Sequence, residues 1–453
     1  MSPLTTGLTF WIERNFCISF PLQNFVYGLK ILTLLSPTTH KRACTMTAIN
    51  SLQNFVTSAL DCTRFRLIRE DADFEEEAAA FHPEMAHQIF GEQENIFGYR
   101  DLQIDVCFAA GPLDIYFNIK YSKKVDDVNT EGIKADDVEK SLAALVEDGC
   151  YYTNMDEYKK VIKARSAAFK PFGTKVDEFE VNPGASARTF EVYVSDITDQ
   201  EFLKFHSRLE SFSFWFIDAF SRVEHDPLWL FFIVYEKYSN NNNEVRYATA
   251  GYFTVYQYYS YPEFIRPRIS QILVLPPFQK LGIASRLIEH TTYNYFVTKK
   301  NVADITYEEP TDIVQHIRSV VDAKRCMALP AFAKANLLAG FSKDMLAEAK
   351  EKFKINPKQC RVIYEILRLA VTDTKNDAEY RNYRLEVKKR LNLNYSKHRR
   401  ELLRLQKRGV DVDGAFSILP SLEDRISQLN AEYKQEVESV YYQVLKKLQL
   451  VRD

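Results

Sequence analysis

The spacing of apolar residues changes twice along the chain and divides it into three parts. Residues 46–170 contain short runs with strand-like alternation, such as Leu102 to Cys107 and Ile115 to Tyr121. Residues 171–341 alternate strand-like and helix-like segments, whereas residues 342–453 repeat apolar positions every three or four residues. A period of two is typical of strands and a period of 3.6 of helices. We therefore predict an α/β protein with a mixed α+β N-terminal domain, a central domain built on a mixed sheet and a helical C-terminal domain.

The central part carries the clearest signals for individual elements. A helix is predicted from about Gln200 to Phe220, and we interpret His206 on its apolar stripe as a core residue. Two strand-like runs, Trp229 to Lys237 and Val245 to Tyr259, flank an asparagine-rich turn and predict a hairpin. We expect Arg268 to Leu275 to add beside this hairpin as a third antiparallel strand.

The C-terminal part combines helical spacing with many cations. Residues 380–408 are crowded with Lys and Arg, which fits either nucleic-acid binding or a solvated helix face. Because the solvated face is the commoner meaning, we do not expect direct nucleic-acid binding. Apolar residues then recur at spacings of four and three from Leu422 to Val444. This stripe predicts helices that pack on the body of the protein or on a partner.

Composition narrows the class of protein. The 453 residues are 46% hydrophobic and 26% charged, and a formal net charge of −2 gives no overall attraction to nucleic acid or to an anionic membrane. The seven Cys and eight His lack metal-ligand spacing, so we expect a reducing compartment and no metal site. Residues 1–45 contain no apolar run of membrane-spanning length. We interpret them as a dispensable extension before Met46, with a signal or transit peptide as the alternative.

The most informative stretch is Ser270 to Ser285, where a buried strand leads into a helix. The apolar run Ile272 to Leu275 predicts the strand, and Pro276-Pro277 ends it because proline has no backbone N–H to donate. Gln279 to Ala284 then brings a glycine and a small residue to a helix N-terminus, which attracts anions. The spacing matches neither the triphosphate loop nor the dinucleotide fingerprint. From these residues alone, the turn is either a phosphate cradle or an ordinary strand-to-helix connection.

The pattern from Gln279 to Ala284, Gln/Arg-x-x-Gly-x-Gly/Ala, resembles the acetyl-coenzyme A pyrophosphate loop of the Gcn5-related N-acetyltransferase (GNAT) superfamily. A wider set of segments resembles the catalytic subunit of the type B histone acetyltransferases. These segments are Phe169 to Thr174, Gly251 to Pro262, Arg266 to Gln271, Asp304 to Pro310, Phe353 to Asn356 and Tyr364 to Asp373. They follow one another from about Met46 to past Leu391, so the resemblance covers most of the chain.

The resemblance implies an acyl-CoA N-acyltransferase (GNAT) fold for residues 171–341 and acetyl-coenzyme A as co-substrate, with no metal. The strand is expected to pair with the pantetheine amides, and the loop amides are expected to hold the pyrophosphate. The residues so assigned are Ile272, Leu273, Val274, Gln279, Lys280, Leu281, Gly282, Ile283, Ala284 and Ser285.

Acetyl transfer to lysine needs a base, because only about one lysine in a thousand is neutral at pH 7. Glu308 and Glu309 follow a predicted strand, Val302 to Thr306, and precede Pro310, where a solvated turn is the alternative. The resemblance assigns Glu308 as general base and Glu309 as its acidic neighbour. It assigns Asp218 as a third carboxylate, although the family has Glu there. Either a water fills the gap or this group matters less.

The resemblance also implies an acceptor-peptide site, where carboxylates attract a basic tail and tyrosine rings pack on lysine stems. Gln93 replaces a carboxylate of the family, which predicts somewhat weaker tail binding. The residues so assigned are Glu92, Gln93, Glu94, Tyr256, Gln257 and Tyr258.

The implied function is acetylation of tail lysines of newly synthesised histone H4, by direct transfer in a ternary complex. The family further implies a WD-repeat histone-binding subunit as partner, residence in cytoplasm and nucleus, and roles in DNA repair and telomere silencing. Two alternatives stay open: an acetyltransferase for other protein amines, and a histone-binding chromatin-assembly factor with little catalysis.

Overall fold

A computed structural model describes residues 52–128, 133–146, 150–182, 184 and 187–450. The expectations about residues 1–45 lie outside these residues. The strands are β1 Val56–Ser58, β2 Thr63–Ile68, β3 Asn95–Phe97, β4 Tyr99–Arg100, β5 Gln103–Ala109, β6 Ile115–Lys120, β7 Lys123–Lys124, β8 Tyr151–Tyr152, β9 Thr174–Val181, β10 Arg188–Ser195, β11 Trp229–Ser239, β12 Val245–Ser260, β13 Phe264–Val274 and β14 Thr306–Tyr307.

The α-helices fall mainly in the C-terminal third. They are α1 Ala59–Cys62, α2 His87–Phe90, α3 Val125–Val128, α4 Val138–Ala143, α5 Met155–Ala168, α6 Gln200–Phe216, α7 Ile283–Arg286, α8 Tyr293–Val297, α9 Asp312–Cys326, α10 Lys334–Ala339, α11 Lys343–Phe353, α12 Pro357–Val371, α13 Asp377–Leu391, α14 Leu393–Lys407, α15 Asp413–Ile418, α16 Leu422–Lys434 and α17 Tyr442–Lys447. A π-helical segment, Leu287–Thr292, joins α7 to α8 without a break.

Two larger sheets form the framework. The central sheet has the order β14-β13-β12-β11-β10-β9, and all its neighbours are antiparallel except the parallel pair of β13 and β14. The N-terminal sheet has the order β2-β5-β6-β8 and mixes parallel with antiparallel pairs. The predicted mixed α/β architecture with a helical C-terminal part is confirmed.

Helix α6 lies between the two sheets. Phe212 stacks on Phe108 of β5 with ring centroids 3.8 Å apart, while His206 meets Phe231 of β11 edge-on at 4.5 Å. Twelve of the seventeen residues of this helix are buried, six of them polar, so the helix is covered around most of its circumference. As a result, one continuous core contains buried residues from Ala59 to Val321.

A second core packs the C-terminal helices together, with buried residues from Ala323 to Leu445. The two cores meet within α9, since Val321 belongs to the first and Ala323 to the second. The predicted boundaries at residues 170 and 341 do not coincide with this division. Among the described residues, no helix combines the length and apolar character needed to cross a bilayer.

Helix α6 is shorter than predicted, because the chain leaves it at Phe216 to meet α2. Ile217 is extended, with φ −125° and ψ 115°, and Ala219 has a φ of +52°. Phe220, predicted to lie in the helix, instead exchanges two hydrogen bonds of 2.9 Å with the side-chain amide of Gln88. The helix therefore ends where a partner for the backbone becomes available outside it.

The strand predicted at Val302 to Thr306 is also shorter in the structure. Val302 and Ile305 make only single bridges, to Ile265 and Ile355 respectively, and continuous pairing begins at Thr306. The segment before β14 thus lies between the central sheet and a loop of the C-terminal helices.

His206 predicts a measurable pH dependence of stability. Burial, with smaller contributions from Arg222 and His225, lowers the pKa of His206 to about 3, whereas an unfolded histidine titrates near about 6.5. Below pH 6.5 the His206 imidazole binds a proton in the unfolded state, whereas in the folded state it stays neutral. We expect the free energy of unfolding to fall by about 1.4 kcal/mol per pH unit through this group.

In urea titrations between pH 7 and pH 4, His206→Gln should be less stable than wild type at pH 7 but lose stability less steeply on acidification. The exposed His398 supplies a matched control, and His398→Gln should keep the wild-type slope. Equal slopes in wild type and His206→Gln contradict the assignment.

Candidate active site

Strands β13 and β14 separate at the centre of the candidate site. They pair only at Arg268 with Thr306 and at Ile269 with Tyr307, and the Glu308 N–H then donates to the Ile269 carbonyl at 2.9 Å. β13 continues to Val274, still paired with β12. On its other side, Ser270–Val274 has no strand neighbour in the described part of the chain. The two strands therefore separate beyond Glu308, and we call the space beside the unpaired edge Ser270–Val274 the cleft.

A β-bulge lies at the point of separation. Between the pairs Phe253 with Ile272 and Val255 with Ile269, β13 contains one residue more than β12. The Gln271 N–H donates to the Thr254 hydroxyl at 3.2 Å, so a side chain replaces the missing ladder bond. Bulges bend a strand and re-aim its side chains. This one turns β13 away from β14.

The turn after β13 faces solvent. Pro276–Phe278 forms a 3-10 turn whose Phe278 is buried, and Lys280 and Gly282 then take positive φ values of 62° and 79°. A Cβ built on Gly282 meets no atom within 4 Å. Gly282 is the N-cap of α7 and has no side chain with which to cap it. The first amides of this helix therefore remain available to an anion.

The helix behind the turn is fixed to the far edge of the central sheet. Arg286 donates two hydrogen bonds, of 3.2 and 3.1 Å, to Asp177 of β9. Thr291 donates a third to the same carboxylate at 3.1 Å. These bonds hold the helix across the sheet and keep its N-terminus at the mouth of the cleft.

The predicted cofactor residues gather around this mouth, but they do not share one environment. Leu273 and Ile283 are buried and belong to the core. Gln279, Lys280 and Gly282 are exposed; the residues that are half-buried are Ile272, Val274, Leu281, Ala284 and Ser285.

Glu308 is exposed at the start of the cleft, and its orientation is set by β13. Ser270 donates a hydrogen bond of 2.5 Å from its hydroxyl to Oε2 of Glu308. Behind it, Tyr307 donates to the Tyr293 hydroxyl at 3.4 Å, and burial raises the pKa of Tyr307. Glu309 is exposed with a φ of 34°. The candidate base, Glu308, is thus preceded by a tyrosine that contacts Tyr293, while its own carboxylate is exposed to solvent.

Asp218 lies in a different contact set. Its Oδ1 is 3.2 Å from Nε2 of His87, whose Nδ1 is 3.6 Å from Oε1 of Glu94. Glu94 also accepts hydrogen bonds from the Ala86 and His87 amides at 2.6 and 3.1 Å. In the described part of the chain, no hydrogen bond or ion pair joins Asp218 to Glu308. The structure places Asp218 with the predicted acceptor-side turn.

The predicted acceptor residues form two groups. Glu92 and Gln93 are exposed in the turn before Glu94. Tyr256 and Tyr258 lie on β12 with ring centroids 4.6 Å apart. The second group shares a sheet face with Glu308, because β12, β13 and β14 are in register there.

Contacts within this second group extend to neighbouring loops. A hydrogen bond to Asp226 raises the pKa of Tyr256. Gln257 lies between the two tyrosines and therefore faces the other side of the sheet; its N–H donates to the Leu228 carbonyl at 3.1 Å.

Sequence reasoning missed Ser270, His87 and Arg268 as site residues. Ser270 and Arg268 stood within the recognised segments, and their alternation with Ile269 on a predicted strand could have placed both on one face. Nothing local marks His87, whose contacts depend on the path of the loop after α6.

Comparisons with known proteins identify related sequences. A model for the N-terminus of histone acetyltransferase HAT1 matches residues 55–218, and a model for the C-terminal region of the type B catalytic subunit matches residues 318–369. The type B catalytic subunit of Mus musculus is 38% identical over 384 residues, which cover 82% of this chain and 91% of that protein. The chain belongs to the family of type B histone acetyltransferase catalytic subunits.

Other type B catalytic subunits show the same relation. The human protein is 38% identical over 82% of this chain and 90% of its own length, and one from Dictyostelium discoideum is 33% identical over 69% and 64%. A crystal structure of a metagenomic aminoglycoside acetyltransferase with sisomicin covers 29% of this chain and 86% of its own, at 17% identity and a TM-score of 0.21. Its membership of the type B family shows that this protein is an acetyltransferase.

The close approach of β12 to β13 makes Gly251 a test of the cleft wall. A Cβ at this position comes 2.4 Å from the Leu273 carbonyl oxygen and 2.9 Å from Cα of Val274. Because both atoms are backbone, β13 must move, and we expect Gly251→Ala to destabilise the protein by about 2 kcal/mol or more. Gly414→Ala is the control, since a Cβ there meets no atom within 4 Å. Urea unfolding measures both; equal stabilities contradict the tight fit.

Proposed function

We propose that this protein transfers the acetyl group of acetyl-coenzyme A directly to tail lysines of newly synthesised histone H4, with Glu308 as general base. The observation that carries the proposal is the position of Glu308. Its carboxylate stands at the opening between β13 and β14, held by Ser270, beside the unpaired edge of β13. Family membership supplies the type of reaction, and the names of the relatives supply the histone.

The cleft fits acetyl-coenzyme A on two features. The edge Ser270–Val274 offers backbone groups to an extended pantetheine arm, as in strand addition. The Val274 carbonyl is the exception, because it accepts a hydrogen bond of 3.0 Å from the Gln279 side chain. The uncapped turn at Gly282 offers amides to a pyrophosphate and has no side chain in the way. Acetyl-coenzyme A supplies the activated acetyl group.

Glu308 provides the proton acceptor that the amine requires. The exposed carboxylate can reach an incoming lysine directly or through one water. Ser270 restricts the rotation of this carboxylate, and the bond from the Glu308 N–H to Ile269 fixes its backbone. Once neutral, the amine attacks the thioester while both substrates are bound, so no covalent enzyme intermediate is needed.

The acceptor tail is proposed to cross the face that carries Tyr256 and Tyr258 and to pass the turn of Glu92 and Gln93. Exposed carboxylate on that turn favours a basic peptide, and the tyrosine rings offer surfaces for lysine stems. Asp218 and Glu94, joined through His87, fix the turn. We further propose a WD-repeat histone-binding subunit as partner and activity in both cytoplasm and nucleus.

Glu308→Gln removes the base while keeping the shape of the side chain. Turnover on histone H4 tail peptide at pH 7 should fall about 100-fold. The deficit should shrink towards pH 9.5, because a growing share of lysine is then already neutral. Acetyl-coenzyme A affinity, measured by calorimetry, should stay at the wild-type value.

Glu180→Gln, which alters another exposed carboxylate on β9, is the control and should retain full turnover. Turnover of Glu308→Gln at the wild-type rate at pH 7 rules out Glu308 as base. Absence of turnover by wild type on the H4 peptide would instead favour the non-catalytic alternative.

The phosphate cradle can be tested with two substitutions of equal size at Gly282. Asn and Asp both tolerate positive φ, so Gly282→Asn and Gly282→Asp share the same backbone strain and differ by one charge. A carboxylate beside a pyrophosphate repels it, and we expect the Asp variant to bind acetyl-coenzyme A at least about tenfold more weakly than the Asn variant. Calorimetry at two salt concentrations measures both. Equal affinities contradict a pyrophosphate site at this turn.

A further inference from the structure

Among the described residues, one arginine on the face of the base has neither a hydrogen-bond nor an ion-pair partner. Arg268 lies on β13 opposite Tyr256 of β12 and opposite Thr306 of β14. Directly opposed residues point to the same face of a sheet, as do residues two apart. Tyr258, Ser270 and Glu308 therefore share the face of Arg268. Two contacts agree with this placement: the Arg268 guanidinium lies 4.6 Å from the centre of the Tyr258 ring, and Ser270 bonds Glu308.

The Arg268 guanidinium is unusual because it lacks a hydrogen-bond acceptor and a carboxylate partner among the described residues. Its Nε is buried and has no hydrogen-bond acceptor, and no carboxylate of the described residues pairs with it. Arg266, two residues earlier, forms two hydrogen bonds with Asp304 at 2.6 and 3.1 Å. Leaving the buried Nε–H without a partner is costly. The two terminal nitrogens carry the other four N–H donors of the guanidinium; they make no hydrogen bond to the described residues and are the donors that a peptide can reach. An arginine held only by a ring, beside an active carboxylate, indicates a partner that arrives with a substrate.

The positive charge of Arg268 excludes electrostatic attraction of the acceptor peptide as the reason for its position. A histone tail is basic, so a free cation beside the acceptor lysine repels it and can only weaken its binding. Hydrogen bonds from the guanidinium can instead strengthen peptide binding, because every residue of an extended peptide presents a carbonyl oxygen as acceptor. The ring of Tyr258 holds the planar guanidinium against the sheet face and limits its rotation.

We propose that the Arg268 guanidinium donates hydrogen bonds to main-chain carbonyl oxygens of the acceptor peptide and thereby fixes the peptide beside Glu308. Arg268 is then a substrate-binding residue with no part in the proton transfer. This inference rests on the proposed function, since it presumes a peptide acceptor on this face.

The test uses Arg268→Met, which keeps the length of the stem and removes every donor, and Arg268→Lys, which keeps the charge and loses the planar fork. Steady-state kinetics on histone H4 tail peptide give kcat and both KM values. For Arg268→Met we expect the peptide KM to rise about tenfold, with kcat and the acetyl-coenzyme A KM within about twofold of wild type. For Arg268→Lys we expect a smaller rise of the peptide KM.

The control is Arg246→Met, which removes a cation near the opposite end of β12 and should leave the peptide KM at the wild-type value. A second acceptor, Nα-acetyl-lysine amide, lacks an extended backbone, and the penalty of Arg268→Met should be smaller with it than with the tail peptide.

The outcomes separate the two proposals. If wild type does not acetylate the tail peptide, the proposed function fails. If wild type does so and Arg268→Met has an unchanged or lowered peptide KM, Arg268 acts only as a charge and the inference is overturned. A rise confined to the acetyl-coenzyme A KM overturns it as well, because the guanidinium then serves the co-substrate. Should Arg268→Met fail to fold, as judged by thermal unfolding, Arg268→Lys decides by the same criteria.

Discussion

The separation of two parallel strands is the constraint on which the rest of this structure depends. A strand with one free edge exposes unpaired amides and carbonyls, and such an edge needs a ligand, water or a covering element. Here β13 stays paired with β12 up to Val274, apart from the bulge, but its pairing with β14 ends after Ile269. The bulge at Gln271, the missing side chain of Gly251 and the prolines after Leu275 each serve this geometry.

The short strand β14 relies on the C-terminal helices for its own position. The Ile305 N–H donates to the Lys354 carbonyl at 2.8 Å, and Asn356 donates to the Ile305 carbonyl at 3.3 Å. Arg318 of α9 lies 4.4 Å from the centre of the Tyr307 ring, beside Asp322, whose pKa is raised by burial. These contacts explain why a family signal at Phe353 to Asn356, far along the chain, accompanies a site on the central sheet.

Local signals in the sequence sufficed for part of this description. The prolines and Gly282 act through backbone rules that hold wherever they occur, so the strand, the turn and the helix start could be predicted. The apolar stripe of α6 likewise predicted a buried His206, because periodicity reports burial directly. The end of α6 could not be predicted, since it depends on a hydrogen-bond partner, Gln88, that lies far away in sequence.

The contacts in the site could not be predicted from local backbone rules either, because they too join residues that are distant in the sequence. The family pattern marked Glu94 as a carboxylate near the acceptor, but only the fold shows that it binds the amides of Ala86 and His87. The bond from Ser270 to Glu308 and the missing partner of Arg268 both follow from the register of three strands. Register is set by the sheet as a whole, and no single segment encodes it.

The sandwiching of α6 between two sheets has a consequence for how the molecule comes apart. Rings such as Phe108 and Phe231 contact opposite sides of one helix, so neither sheet can lose its partner without exposing the apolar surface of the other. Thermal melting of these two layers should be a joint, cooperative event. A fragment comprising the central layer alone lacks half of the surroundings of its longest buried helix, and it is a poor minimal unit for expression.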